Sequence, residues 1–186
     1  SFPYLIEHLN EDIFSGHNIV GTIFMECAAG YYLEGDEKYK PLGETEFVIN
    51  LIKKSKKLKK STNIIGIIGY ADLMLGREVK DVLDKHLLKG EGLFKGIRHA
   101  AGWDKNIEIH NSHSNPIENI YYNKTFREGA EELIKLNLTF DSWHYHHQIK
   151  DLSNFAINYP ELTIIHDHFG GPLGVGPYEG KRKEIF

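Results

Sequence analysis

The 186-residue sequence is poor in the features that mark several classes of protein. It has one cysteine, Cys27, so neither a disulfide framework nor a cysteine-based zinc site forms within one chain. That usage fits a reducing compartment, and the cytoplasm is the expected location. No apolar run approaches the roughly 18 residues that span a bilayer, and Ser1-Phe2-Pro3 carries neither a basic region nor a signal core. A membrane is therefore not an expected partner. A basic excess is missing as well: 22 Lys and Arg stand against 26 Asp and Glu, for a net charge of −4. Nothing in that balance is built to neutralise phosphates, which excludes nucleic acid. Low-complexity segments are absent. The one charge run, Lys53 to Lys60, falls where a helix should end, and cations there suit the helix dipole, so it reads as a solvated helix end. The glycine-rich stretch Gly170 to Pro177 lacks the lysine of a P-loop and the pattern of a dinucleotide fingerprint. It reads as a tight active-site loop.

What is present is an alternation. Apolar runs rich in β-branched residues are followed by segments of helical period, the pattern of repeated βα units on a parallel sheet. Five strands are expected: Asn18 to Met25, Asn63 to Gly69, Leu93 to Ile97, Leu138 to about Tyr145, and Leu162 to Ile165. Helices are expected over Glu44 to Lys57, Arg77 to Leu88, Thr125 to Leu136 and Ile149 to Asn158. The strand bodies are nearly continuous in apolar residues, as befits strands covered on both faces. Length and a 41% hydrophobic content fit one domain, 1–186. Five units are fewer than the eight that close a (β/α)8 barrel. With helix-like sequence at both ends, the count reads as a partial TIM barrel, an internal section of a longer one.

In parallel α/β folds ligands bind at the C-terminal ends of the strands, because the loops there vary while the sheet holds them. The expected exits carry Glu26-Cys27, Tyr70-Ala71-Asp72, Arg98-His99, His144 to Gln148, and His166-Asp167-His168. Eleven histidines occur in the chain, and five of them lie between His144 and His168. The spacing of His144 with His146, and of His166 with His168, places each pair on one face of a strand. From adjacent strand ends such histidines can converge on one metal, but a catalytic zinc takes three or more protein ligands and a water. Arg98 is a planar cationic fork suited to a carboxylate or to a structural salt bridge. Glu26 and Asp72 fit three roles: metal ligand, acid-base group, or cap of the following loop. Cys27 reads as a small buried hydrophobe, and His110 and His113, in a polar Asn/Ser loop, as solvated residues.

Several linked motifs, in order, resemble one family: Phe24-Met25-Glu26-Cys27, Gly43-Glu44-Thr45-Glu46-Phe47, Ala71-Asp72-Leu73, Phe94-Lys95-Gly96-Ile97-Arg98-His99, Tyr145-His146-His147-Gln148 and His168-Phe169-Gly170-Gly171-Pro172. Together they are similar to the amidohydrolase-related family of the amidohydrolase superfamily. That group of TIM-barrel metal-dependent hydrolases includes sugar lactonases and 2-pyrone-4,6-dicarboxylate lactonase. The resemblance implies that the five strands are the family's second to sixth, and that His146 and His168 match its fifth- and sixth-strand histidines as catalytic groups and metal ligands. It also implies a divalent metal, zinc first and manganese second, and hydrolysis of a lactone, ester or amide of a small carboxylate or sugar acid. Arg98, Glu26, Tyr70, Asp72 and His99 would bind a small anionic substrate. The family's first-strand His-x-His pair and eighth-strand aspartate have no counterpart in this sequence, so the chain as given is expected to bind metal weakly or not at all. A metal-independent lactonase or decarboxylase of the same fold is the alternative within the family. A non-catalytic, self-associating section is the alternative outside it, since open sheet edges pair and favour a homo-oligomer.

Overall fold

A computed structural model describes residues 4–57 and 63–185; Lys59 and Lys60 of the expected helix-end charge run lie outside the described residues. Five parallel strands follow chain order, β1-β2-β3-β4-β5: β1 Thr22–Met25, β2 Ile64–Gly69, β3 Phe94–Arg98, β4 Thr139–Ser142 and β5 Ile164–His166. The helices are α1 Ile6–Ile13, α2 Leu42–Ser55, α3 Val79–Lys89, α4 Lys124–Lys135, α5 Ile149–Asn158 and α6 Arg182–Ile185. The expected α/β class with five βα units is what the chain forms. By internal contacts it gathers into two compact units, Ser1–Gly69 with Val82–Lys95, and Tyr70–Asp81 with Gly96–Phe186.

In the first unit β1 and β2 pair in parallel, with Phe24 opposite Ile67 and Met25 opposite Ile68. α2 lays Val48 and Ile49 into the core, where Ile67, Val82 and Leu83 are fully buried. Removing each such side chain from water contributes roughly 1.5–3 kcal/mol before chain entropy is counted. One polar pair is sealed in: His86 Nδ1 lies 2.8 Å from Thr45 Oγ1, and its ring stacks on Phe94 at 4.7 Å. Burying an imidazole is tolerable here because that hydroxyl satisfies one nitrogen and the ring face meets an aromatic.

The second unit is organised by aromatic residues. Phe126 of α4, Phe140 of β4 and Phe155 of α5 are fully buried and meet edge to face at 5.9–6.0 Å, the geometry their ring quadrupoles prefer. α4 begins where Asn123 Oδ1 accepts from Phe126 N at 3.1 Å, satisfying one of the donors a helix start leaves open. It approaches the Leu73 turn so closely that a Cβ on Gly129 would sit 2.4 Å from the Leu73 carbonyl. Registers of Arg98 with Asp141, and of Asp141 with Ile165, align β3, β4 and β5.

Strand ends differ from expectation. β1 begins at Thr22 and β4 stops at Ser142: apolar sequence extends beyond the paired residues, ahead of β1 and into the exit loop after β4. The expected placement of His144 with His146 on one strand face is therefore corrected: His144 follows β4 and His146 opens a 3-10 turn, His146–Gln148. His166 ends β5, while His168 lies in the next turn with φ +50°. The helix expected from Arg77 is preceded by a turn over Leu73–Glu78 and starts at Val79. Cys27 is exposed, not buried.

Candidate active site

The second unit carries a cavity of about 250 Å³ lined by Arg98, Ala100, Ser112, His113, Trp143 and His168. Two of the expected site residues, Arg98 and His168, thus meet at the exits of β3 and β5. Arg98 ends β3, its side chain only 18% exposed, with its Nη1 3.9 Å from Asp167 Oδ2. Beside it in register is Asp141, a carboxyl 4% exposed that sequence reasoning missed. Burial pushes its pKa up to about 6; the negative charge of Asp167 adds to the rise, and Thr139 and Arg98 oppose it. The cluster therefore sets one guanidinium against two carboxyls, of which Asp141 gains a proton just below neutrality.

His168 and the following Phe169 both adopt left-handed backbone, φ +50° and +54°. Successive non-glycine residues rarely do so, at a cost of about 1 kcal/mol or more each. The turn leaves His168 exposed at the cavity. His113 also reaches it, although its loop is polar and exposed, because that loop folds back on the β3 exit. The Ser114 hydroxyl donates to Ala100 O, and Ser112 N donates to Gly102 O at 2.9 Å. Trp143 also lines the cavity, and its ring is admitted because position 102 is glycine: a Cβ there would lie 2.4 Å from Trp143 Cζ3.

The remaining expected residues lie elsewhere. Asp72 caps the turn that follows β2, its Oδ1 accepting from Met74 N at 2.8 Å. His99 is 2% exposed, and its Nδ1 accepts from Leu73 N at 3.2 Å. Burial drives its pKa down to about 4, with the Asp72 charge working against the fall, so it is a neutral buried imidazole that holds the same turn. Tyr70 rests its ring against His99 at 5.7 Å and His113 at 6.1 Å, one ring away from the cavity lining. His146 is half-buried; its Nδ1 accepts from Leu173 N at 3.4 Å. Its ring meets the edges of His147 and Tyr178 at 5.3 and 4.9 Å. Burial lowers its pKa, as does His147, while Asp104 opposes. The Tyr178 hydroxyl donates to Asp104 Oδ2 at 2.7 Å, which tethers the Gly170 to Tyr178 loop. Glu26 belongs to the first unit, 1% exposed at the end of β1. Its neighbour Glu44 spans the loop beyond it, Oε1 accepting from Cys27 N at 3.0 Å and Ala29 N at 2.7 Å.

The other histidines of the cluster form a stack. His144, fully buried, lies 4.9 Å ring to ring over His166, and its Nδ1 is 3.0 Å from Ser142 Oγ, which itself meets the Tyr121 hydroxyl at 2.6 Å. Burial and the His166 ring hold its pKa down at about 4. The pairing that exists is thus 144 with 166, across strands, and not either pair along a strand. Among the described residues no three His, Cys, Asp or Glu side chains gather as a metal-ligand set.

No family model matches the sequence. An uncharacterised protein of Sinorhizobium fredii (strain NBRC 101917 / NGR234), y4mH, is 27% identical over 183 residues, covering 98% of this chain and 55% of its own length. The crystal structure of an amidohydrolase from Burkholderia multivorans with bound HEPES superposes with a TM-score of 0.59 at 16% identity, over 90% of this chain and 47% of that one. The chain thus spans about half the length of the proteins it matches. It shares the fold of that amidohydrolase, and its five parallel βα units form a partial TIM barrel.

Proposed function

We propose that the protein is a hydrolase of the amidohydrolase superfamily that acts on a small anionic lactone, ester or amide, of the kind formed by a carboxylate or sugar acid, in the cytoplasm. The observation that carries the reading is the cavity at the strand exits, where a half-buried guanidinium, two imidazoles and an indole meet on a fold shared with an amidohydrolase. Arg98 binds the carboxylate of the substrate through its fork, and the nearby Asp167 limits the directions in which that fork can point. His168 and His113, which both line the cavity, supply the imidazole for acid-base hydrolysis. One takes a proton from the attacking water, whose oxygen adds to the carbonyl carbon, and the proton then passes to the leaving oxygen or nitrogen as its bond to carbon breaks. Trp143 gives the substrate an apolar face to lie on.

A divalent metal, zinc before manganese, belongs to this reading only with ligands in addition to His146 and His168, since two imidazoles do not make a catalytic site. No step above runs through one. The test is hydrolysis of a panel of sugar-acid lactones and aryl esters, followed by proton release, with the longest reading frame that contains this chain. Of His168→Ala and His113→Ala, the variant that lacks the acid-base imidazole is expected to lower turnover at least about 100-fold. Full turnover in both variants would overturn the assignment.

One observation favours a second reading, self-association. β1 is an edge strand with Ile23 56% exposed, and the first unit holds a cavity of about 510 Å³ walled largely by apolar side chains, among them Leu9, Phe24, Phe47 and Leu51. An open apolar edge of this kind pairs with a second copy. Light scattering decides: a dimer or larger is expected, and a clean monomer at high concentration would exclude it.

A further inference from the structure

The carboxamide of Gln148, the last residue of the Tyr-His-His-Gln motif, is 5% exposed and makes three hydrogen bonds to backbone. Its Oε1 accepts from Trp103 N at 3.1 Å and from Tyr145 N at 3.1 Å, and its Nε2 donates to Ala101 O at 2.9 Å. Two N–H donors converge on one terminal atom, and a carbonyl faces the other. A carboxamide supplies an acceptor and a donor on one carbon without depending on a proton being bound. The partners are not scattered. Ala101 and Trp103 belong to the β3 exit and Tyr145 to the β4 exit, and they flank the cavity residues Ala100 and Trp143. A further bond, Ala101 N to Trp143 O at 2.7 Å, joins the same two exits directly.

We infer that Gln148 is the positioning residue of the cavity: its carboxamide fastens the β3 exit to the β4 exit and thereby sets where Trp143 stands relative to Arg98. It touches no cavity space itself, so it acts through the backbone it holds. The role as a cavity-shaping residue rests on the proposed anionic site, and the test separates the two.

In a Trp103→Phe background Trp143 is the sole indole, since the chain has two tryptophans. Iodide quenching of its fluorescence reports an anion held near Arg98, while acrylamide reports plain access. Gln148→Met preserves volume and removes all three bonds; Gln148→Asn keeps the amide but falls a methylene short. Both are expected to lower the iodide quenching constant about fivefold, a weakening of anion retention beside Arg98 that corresponds to about 1 kcal/mol, with circular dichroism unchanged. If Gln148→Met does not fold at the assay temperature, Gln148→Asn decides. A lowered melting temperature with an unchanged iodide constant would reduce Gln148 to a structural residue and overturn the inference. Arg98→Met is the independent arm. If it leaves iodide quenching intact while the Gln148 variants change it, the anion site fails and the positioning role stands.

Discussion

Replacing Asp141 by Asn should stabilise the protein at alkaline pH and leave it unchanged in acid. The carboxyl is 4% exposed beside Asp167, and its pKa is pushed from 3.8 up to about 6. Between those values the folded chain keeps a proton that the unfolded chain has released, so stability falls as pH rises through this window and the penalty is complete above it. The full displacement corresponds to at most about 3 kcal/mol at 1.36 kcal/mol per tenfold change; screening by solvent around a cluster containing Arg98 reduces it to about 1–2 kcal/mol. Asn matches the shape and carries no charge at any pH. For a chain of this length about 2–4 °C accompanies each kcal/mol, so Asp141→Asn should melt about 2–8 °C higher than the parent at pH 8 and level with it at pH 4. Thermal melts by circular dichroism from pH 4 to 8 provide the comparison. Buried neutral histidines act in the opposite sense: His99 and His144, held down at about 4, make both proteins lose stability as pH falls below about 6.5, and they cancel in the difference. Parallel pH profiles for the two proteins, or an Asn variant less stable at pH 8, would refute the account of the cluster.

Relief of the left-handed backbone at His168 predicts that His168→Gly raises stability by about 1 kcal/mol while His168→Ala does not, measured by urea unfolding. Gly102→Ala should displace Trp143, costing about 1–3 kcal/mol through overpacking and shifting the indole emission maximum. After incubation with zinc and desalting, the chain should retain well below one equivalent by elemental analysis, since the described residues gather no set of three ligands; one full equivalent, lost on His146→Ala or His168→Ala, would show that the two histidines do meet on a metal.

The fold was legible because β-branched runs such as Asn63 to Gly69 and the helical period of Thr125 to Leu136 repeat a pattern that packing on a parallel sheet rewards. Arg98 and His168 were legible from their place after such runs. Other parts depend on where chain segments end and fold back. The period-two spacing of His144 and His146 has meaning only while the strand continues, and it stops at Ser142. Asp141 is a lone acid inside an apolar run, and nothing in its sequence neighbourhood announces that Arg98 and Asp167 stand beside it. His113 depends on serine bonds that return its loop to the β3 exit, contacts without a sequence period. Gln148 could have been found as the motif residue with no evident chemistry of its own.

Glu44 has a consequence for how the protein can change. Its carboxylate, in the first turn of α2, serves the amides of Cys27 and Ala29 and not those of its own helix, so the start of the helix and the end of β1 are tied at their bases. The intervening stretch, which includes the exposed Leu33 to Asp36, is a loop whose ends are already closed. For such a loop the entropy of closure grows only with the logarithm of length, about 0.6 kcal/mol for each doubling. Inserted segments, natural or engineered, should therefore be carried there at little thermodynamic expense, with the Glu44 tie as the condition for it.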